Sequence, residues 1–177
     1  MGLKMPSTYT LISSNVLTSS AASVTFSAIP STYTDLVLRI SARTNKASTT
    51  TDLTVRVNGN TSAIYSRVRL RGSGSAASSN LDTNQTQIQN DQGLDGNNAT
   101  SNTFSSNEIY IPNYLSSANK PASIFSIQED NLSTAYITAL ACLIRDTNPI
   151  TSILLYAESG VDFVSGSSFY LYGIKNS

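Results

Sequence analysis

Short stretches in which apolar and polar residues alternate recur along this chain, and each stretch ends at turn residues. Residues 35–44 are the clearest case, with Leu36, Leu38 and Ile40 on one side and Arg39 on the other. A period of two places alternate side chains on opposite faces of a β-strand. Nine or ten such stretches can be traced in the sequence, and turns every 8 to 12 residues are typical of a β-sandwich or barrel.

The composition argues against a helical protein. The chain of 177 residues contains 30 Ser, 20 Thr and 16 Asn, but only 3 Glu, 4 Lys and 2 Met. Ser, Thr and Asn compete with the helical backbone for hydrogen bonds and favour turns and strands. We therefore predict an all-β fold, an antiparallel two-layer β-sandwich that forms a single domain over residues 1–177.

A hairpin is predicted in the first half of the chain. Residues 52–57 alternate, Asn58 and Gly59 follow directly, and residues 64–71 resume the strand pattern. Asn-Gly is a strong signal for a type I′ turn, because both residues tolerate a positive φ. We expect residues 64–71 to return as the strand that pairs with residues 52–57.

Residues 72–103 interrupt the pattern and are predicted to be one long irregular insertion. The segment lacks basic and aromatic residues before Phe104, and it carries Asp82, Asp91 and Asp95. A loop of this length is uncommon inside a compact domain unless it has a function. We consider an arm that reaches over a neighbouring subunit, an acidic complement to arginines across a trimer seam, and a plain surface loop.

Several classes of function are disfavoured by what the sequence lacks. It has no histidine and one cysteine, Cys142, which lies in an apolar run and is predicted to be a buried structural thiol. A serine triad, a Cys–His pair and a Cys-based zinc site are therefore excluded. The net charge is zero, which gives no drive toward nucleic acid or an acidic membrane. We expect no enzyme activity, cofactor, metal, nucleic acid or membrane partner.

Basic residues gather between positions 39 and 71 and form the first candidate interface. Arginine suits such an interface because its planar guanidinium pairs with carboxylates through two hydrogen bonds. The set is read either as a docking face for an acidic patch on a partner, or as a solvated sheet face. The candidate residues are Arg39, Arg43, Arg56, Arg67, Arg69 and Arg71.

Two tyrosines near the end of the chain form the second candidate interface. Tyr170 and Tyr172 share one face of the predicted last strand, with Phe169 and Leu171 on the other. Tyrosine combines apolar area with a polar tip, so it is common in oligomer seams and sugar-binding surfaces. Ordinary sheet packing, a trimer seam and a sugar site all remain open for this pair.

Four segments carry a resemblance to a known group of proteins. The segments are YTLISSN at 9–15, ASVTFSAIP at 22–30, YTDLVLRISAR at 33–43 and FYLYGIK at 169–175. Together they resemble small β-sandwich virion proteins of tailed bacteriophages, including those of cyanophages. That group includes capsid cement or decoration proteins and the tips of tail fibres and baseplates. The matching segments frame the fold and contain no catalytic motif.

The resemblance implies a jelly-roll-like topology, a homotrimer and a place in the virion. Because the strand pattern fills the chain and leaves no stretch for a fibre shaft, we expect a cement protein. It would be assembled in the host cytoplasm and would bind the major capsid protein on the outer capsid surface. The alternative is a receptor-binding tail-fibre or baseplate tip that recognises host glycans.

Overall fold

The chain folds into two antiparallel β-sheets. The computed structural model describes residues 8–131, 135–158 and 160–175, among which there is no helix. The larger sheet has eight strands in the spatial order β1 (Tyr9–Val16), β12 (Ser168–Ile174), β3 (Asp35–Ala42), β8 (Ser105–Ile111), β9 (Lys120–Gln128), β10 (Tyr136–Ile144), β5 (Tyr65–Gly72) and β6 (Ala77–Gln85). The smaller sheet has four, in the order β2 (Ser23–Phe26), β11 (Ile153–Tyr156), β4 (Thr50–Val57) and β7 (Ile88–Asp95). The prediction of an all-β fold with antiparallel sheets is confirmed, whereas the jelly-roll topology stays a prediction.

The apolar core lies between the two sheets and follows from the alternation read in the sequence. On β3, Leu36, Leu38 and Ile40 are buried, while Arg39 points out of the sandwich and is exposed. β12 pairs with β3 and buries Phe169 and Leu171 on the same inner side. The smaller sheet covers these side chains with further apolar residues, which are Leu53, Val55, Val57, Ile153 and Leu155.

The predicted irregular insertion at 72–103 is wrong, because most of this segment is two strands. β6 closes one edge of the larger sheet beside β5, and β7 closes one edge of the smaller sheet beside β4. β6 is exposed along almost its whole length, so its sequence needs no apolar alternation. β7 places polar residues such as Asn90 and Asp95 in the interior, where polar partners meet them. Both strands therefore lack the signature by which sequence patterns reveal strands.

The predicted hairpin is confirmed as a turn and wrong as a pairing. Asn58 and Gly59 both have positive φ, at 52° and 63°, as a turn of this type requires. However, β4 lies in the smaller sheet and β5 in the larger one. The Asn58 carboxamide is bonded instead to the loop that precedes β11, accepting a hydrogen bond from the Thr151 amide and donating one to the Pro149 carbonyl.

Candidate interaction surface

The three arginines of β5 point into the space between the sheets. Arg67 is only 9% exposed, and Arg69 and Arg71 are partly buried. The residues between them, Val68 and Leu70, lie on the outer side and are exposed. The alternation predicted for this strand is present, but the charged side faces inward.

Acidic residues of the same chain meet these arginines. The Arg67 Nε donates to Asp82 on β6 at 2.8 Å, and its Nη1 lies 3.0 Å from Asp91 on β7. Arg69 also forms an ion pair with Asp91. We call these residues, together with Arg71, the inter-sheet charge cluster. Among the alternatives considered for residues 72–103 was an acidic complement to arginines across a trimer seam, and Asp82 and Asp91 instead complement arginines of their own chain.

Pairing and burial shift the ionisation of the cluster in different ways. The hydrogen bond from Arg67 holds the pKa of Asp82 below its ordinary value. Desolvation, followed by the charges of the neighbouring arginines, lowers the pKa of Arg69. Arg71 donates to the Gln92 side chain and lies over the Tyr136 ring, 4.9 Å from its centre. The cluster anchors β5 and β6 to β7 and leaves these charges engaged inside the protein.

A second polar group continues the cluster under β9. Asn90 donates to Asn107 and Ser126, and Gln128 Nε2 donates to Asp95 at 2.7 Å. Burial raises the pKa of the Asp95 carboxyl, and the hydrogen bond from Gln128 opposes that rise. The interior at this end of the sandwich is thus polar rather than apolar.

Arg43 organises a loop. Its side chain is buried and donates to four backbone carbonyls, those of Asn97 at 3.1 Å, Ala99 at 2.9 Å, Thr100 at 2.8 Å and Thr103 at 3.1 Å. A guanidinium with its donors occupied in this way holds residues 97–103 against β3. It offers little to an external partner.

The remaining predicted arginines lie on opposite outer faces of the molecule. Arg39 is exposed on the larger sheet and bridges to Glu108 of β8 at 2.7 Å. Arg56 is on the smaller sheet, where it lies over the Tyr156 ring and donates to the Gln87 side chain. The six predicted arginines therefore do not assemble into one docking face, and most are occupied by partners in their own chain.

The outer side of β9, β10, β5 and β6 carries an uncharged surface that the sequence reading did not identify. We call it the apolar face. Among the described residues of these strands, no charged side chain points outward. Its large exposed side chains are Val68, Leu70, Leu81, Phe125, Ile127, Ile137 and Leu143.

A pocket opens toward one end of the apolar face, where β5 ends and β6 begins. Small residues on neighbouring strands, Gly72, Ala77 and Ala139, leave space between Leu70, Phe125 and Ile137, and Arg71 also contributes to the lining. The cavity has a volume of about 330 Å³. A pocket of this kind, lined mainly by apolar side chains, is suited to an apolar side chain of a partner.

The predicted tyrosines lie on the outer side of the other half of the sheet. Tyr170 and Tyr172 have ring centres 6.4 Å apart and are partly exposed, and Tyr9 of β1 meets Tyr172 edge-on at 6.3 Å. Phe169 and Leu171 point the other way, as predicted, and they are buried. We call the three rings the tyrosine cluster.

Three further observations concern the cysteine, metal binding and membrane-spanning helices. Cys142 is buried, as predicted, and desolvation raises its pKa to about 12, so the group is an unreactive thiol at neutral pH. No group of three or more carboxylate or thiol side chains among the described residues is placed to hold a metal ion. Within the same residues, no helix is long and apolar enough to cross a membrane.

Comparison with known proteins does not assign this chain to a family. No family model matches this chain, and no curated protein matches it in sequence. The question of function therefore depends on the surfaces described above, and above all on the apolar face.

Proposed function

We propose that this chain is a structural protein of a tailed-phage virion. Its role is that of a cement or decoration protein, which binds the shell of major capsid protein as a homotrimer on the outer capsid surface. The virion setting comes from the resemblance of the strands that frame the fold. The observation that carries the proposal is the apolar face, because a protein that leaves such a surface bare is suited to work inside an assembly.

A cement protein acts by adhesion, and the fold supplies what adhesion requires. The chain presents a two-sheet sandwich whose buried arginines pair internally, as Arg67 does with Asp82 and Asp91. A trimer binds three shell sites at once, so modest contacts at each site combine into strong attachment. Each copy that bridges neighbouring capsid proteins raises the barrier to shell rupture.

Imaging of purified phage particles that encode this chain tests the proposal. We expect hundreds of copies on the capsid surface, in groups of three. Removing the gene should lower the temperature at which filled capsids rupture, and added purified protein should restore it. Absence of the protein from the capsid, or unchanged rupture in the deletion particles, would contradict the proposal.

The tyrosine cluster favours a second candidate function, a receptor-binding tail tip that recognises host glycans. Tyr9, Tyr170 and Tyr172 present ring surface next to the exposed polar pair Arg39 and Glu108. Aromatic rings with polar neighbours suit sugars, whose two faces are apolar and whose edges carry hydroxyls. A tail location with a few tens of copies or fewer, and glycan binding that Tyr170→Ser abolishes, would favour this candidate over the first.

A further inference from the structure

The apolar face is large enough to form the centre of a protein interface. Leu81 is 63% exposed and Leu70 60%, the highest values among the large apolar side chains of the described residues. The seven large side chains of the face expose roughly 600 Å², at the upper end of what monomeric proteins leave bare. A stable complex buries about 800 Å² on each partner, so the face with its rim accounts for one such side.

The ion pairs beneath the apolar face hold β5 in the orientation that exposes its apolar side chains. A shift of β5 by one residue would turn Val68 and Leu70 inward and the arginines outward. The structure instead provides Asp82 and Asp91 to hold the arginines inside. In a single chain this orientation leaves apolar surface exposed to water, which is unfavourable. The orientation becomes favourable when another surface covers the face and removes that apolar area from water.

The edge of the sheet next to the face is also uncovered. β6 is exposed on both sides for most of its nine residues and pairs with β5 along one edge only. Its sequence contains no Lys or Pro, residues that commonly protect an edge strand from pairing with other chains. The open edge and the apolar face together form one continuous uncovered region.

The chemistry of the face points to a second copy of this chain as the occupant. A surface without charge meets its own copy without like-charge repulsion, whereas a charged patch needs a partner of opposite sign. Interfaces between identical subunits are also the more apolar class, similar to a domain core cut in half. Finally, the face carries both a protruding side chain, Leu81, and a pocket beside Leu70.

We propose that the apolar face is the seam at which copies of this chain meet, with Leu81 of one copy inserted into the pocket lined by Leu70, Phe125 and Ile137 of its neighbour. The inference deepens the proposed function by locating the contact between subunits, and it rests on that function only for the number of copies. The tyrosine cluster and the Arg39–Glu108 pair lie on the other half of the sheet and stay available for a further partner.

The mass of the purified protein in solution tests the seam. Size-exclusion chromatography with light scattering should give an oligomer for the wild type. Leu81→Glu and Ala139→Leu, which remove the protruding side chain and fill the pocket, should each shift the mass to that of a monomer or raise the dissociation constant at least tenfold. Leu11→Glu is the matched control, since Leu11 is an exposed leucine on β1 at the opposite edge of the same sheet. We expect this control to leave the mass unchanged.

The possible outcomes test the proposed subunit contact independently of the proposed role in the phage particle. Circular dichroism of each variant establishes that it is folded, and Leu81→Ser serves if Leu81→Glu does not fold. A wild type that is monomeric at every concentration overturns the inference, as does an oligomer that survives both the Leu81 and the Ala139 changes, whatever Leu11→Glu does. An oligomer that depends on Leu81 but does not bind shells supports the seam and contradicts the proposed function instead.

Discussion

Strands β3 and β5 belong to one sheet and share one sequence pattern, yet they face opposite ways with respect to charge. On β3, Leu38 and Ile40 are buried and Arg39 is exposed. On β5, Arg67 is buried and Leu70 is exposed. The comparison teaches that alternation shows a strand has two unlike faces but does not show which face is inside. Partners on other strands decide that, and for β5 the partners are carboxylates.

The largest effect on the free energy of unfolding is expected from a buried phenylalanine on β12, compared with an exposed one on the apolar face. Phe169 is fully buried against Phe163, with ring centres 4.9 Å apart. We expect Phe169→Ala to lower the free energy of unfolding by about 3–5 kcal/mol through lost burial and a cavity. Denaturant titration at a fixed protein concentration measures it.

Phe125 on the apolar face is the matched comparison. Because it is exposed in the single chain, Phe125→Ala should cost the dissociated protein about 0.5 kcal/mol or less. Equal losses for the two phenylalanines would mean that the outer side of β9 is as buried within one chain as the inner side of β12.

The next effect concerns the inter-sheet charge cluster. Asp91 contacts both Arg67 and Arg69, so Asp91→Ala leaves two largely buried guanidinium groups without their shared partner. We expect a loss of about 2–4 kcal/mol in the free energy of unfolding.

Adding Arg69→Met to Asp91→Ala separates unpaired charge from lost packing. The second change removes one of the orphaned charges, and we expect it to recover part of the loss. If the double variant is less stable than Asp91→Ala alone, pairing with Asp91 is not what holds the arginines inside. Our explanation of why the charged side of β5 points into the interior would then be wrong.

The pH dependence of stability should change when Asp82 is removed. Its pKa is lowered in the folded protein by the hydrogen bond from Arg67, so its ionised form stabilises the fold at pH values above the ordinary aspartate pKa of about 4. That contribution is lost as the pH falls through the lowered folded-state value. Asp82→Asn should therefore be less stable than the wild type at pH 7, and the difference should shrink toward pH 2. A difference that grows on acidification would reverse the sign of the pairing.

We expect the smallest effect on the free energy of unfolding from the exposed ion pair on the half of the larger sheet that carries the tyrosine cluster. Arg39 and Glu108 are 2.7 Å apart, but both side chains are in contact with solvent. We expect Glu108→Gln to change the free energy of unfolding by at most about 1 kcal/mol, and less at high salt. A loss as large as that of Asp91→Ala would remove the distinction between a solvated pair and the inter-sheet cluster.

The sequence allowed the fold class and the strands with apolar inner faces to be predicted. β3 and β12 were found because apolar and polar residues alternate along them, as Leu36, Leu38 and Ile40 do with Arg39 on β3. β6 and β7 were missed because one is exposed on both sides and the other is buried among polar partners. Neither environment selects for apolar alternation, so no pattern of residue types marks them.

The candidate site could be predicted less well, for a related reason. The arginines of β5 and the aspartates of 72–103 were both noticed, but their pairing depends on β6 and β7 lying beside and across from β5. The apolar face depends on which side of four strands is covered by the smaller sheet. Neighbouring residues of a strand point to opposite faces. Knowing that Arg67 points inward would therefore have predicted that Val68 and Leu70 are exposed.

Hydrogen exchange at the two edge strands of the larger sheet tests the central claim most directly. Both β1 and β6 are exposed in the single chain, but only β6 borders the apolar face. We predict that the amides of Ala77–Gln85 become more protected as the protein concentration rises, while those of Tyr9–Val16 do not change. Protection of β6 that is independent of concentration, or a rise confined to β1, would contradict the claim that copies of this chain meet at the apolar face.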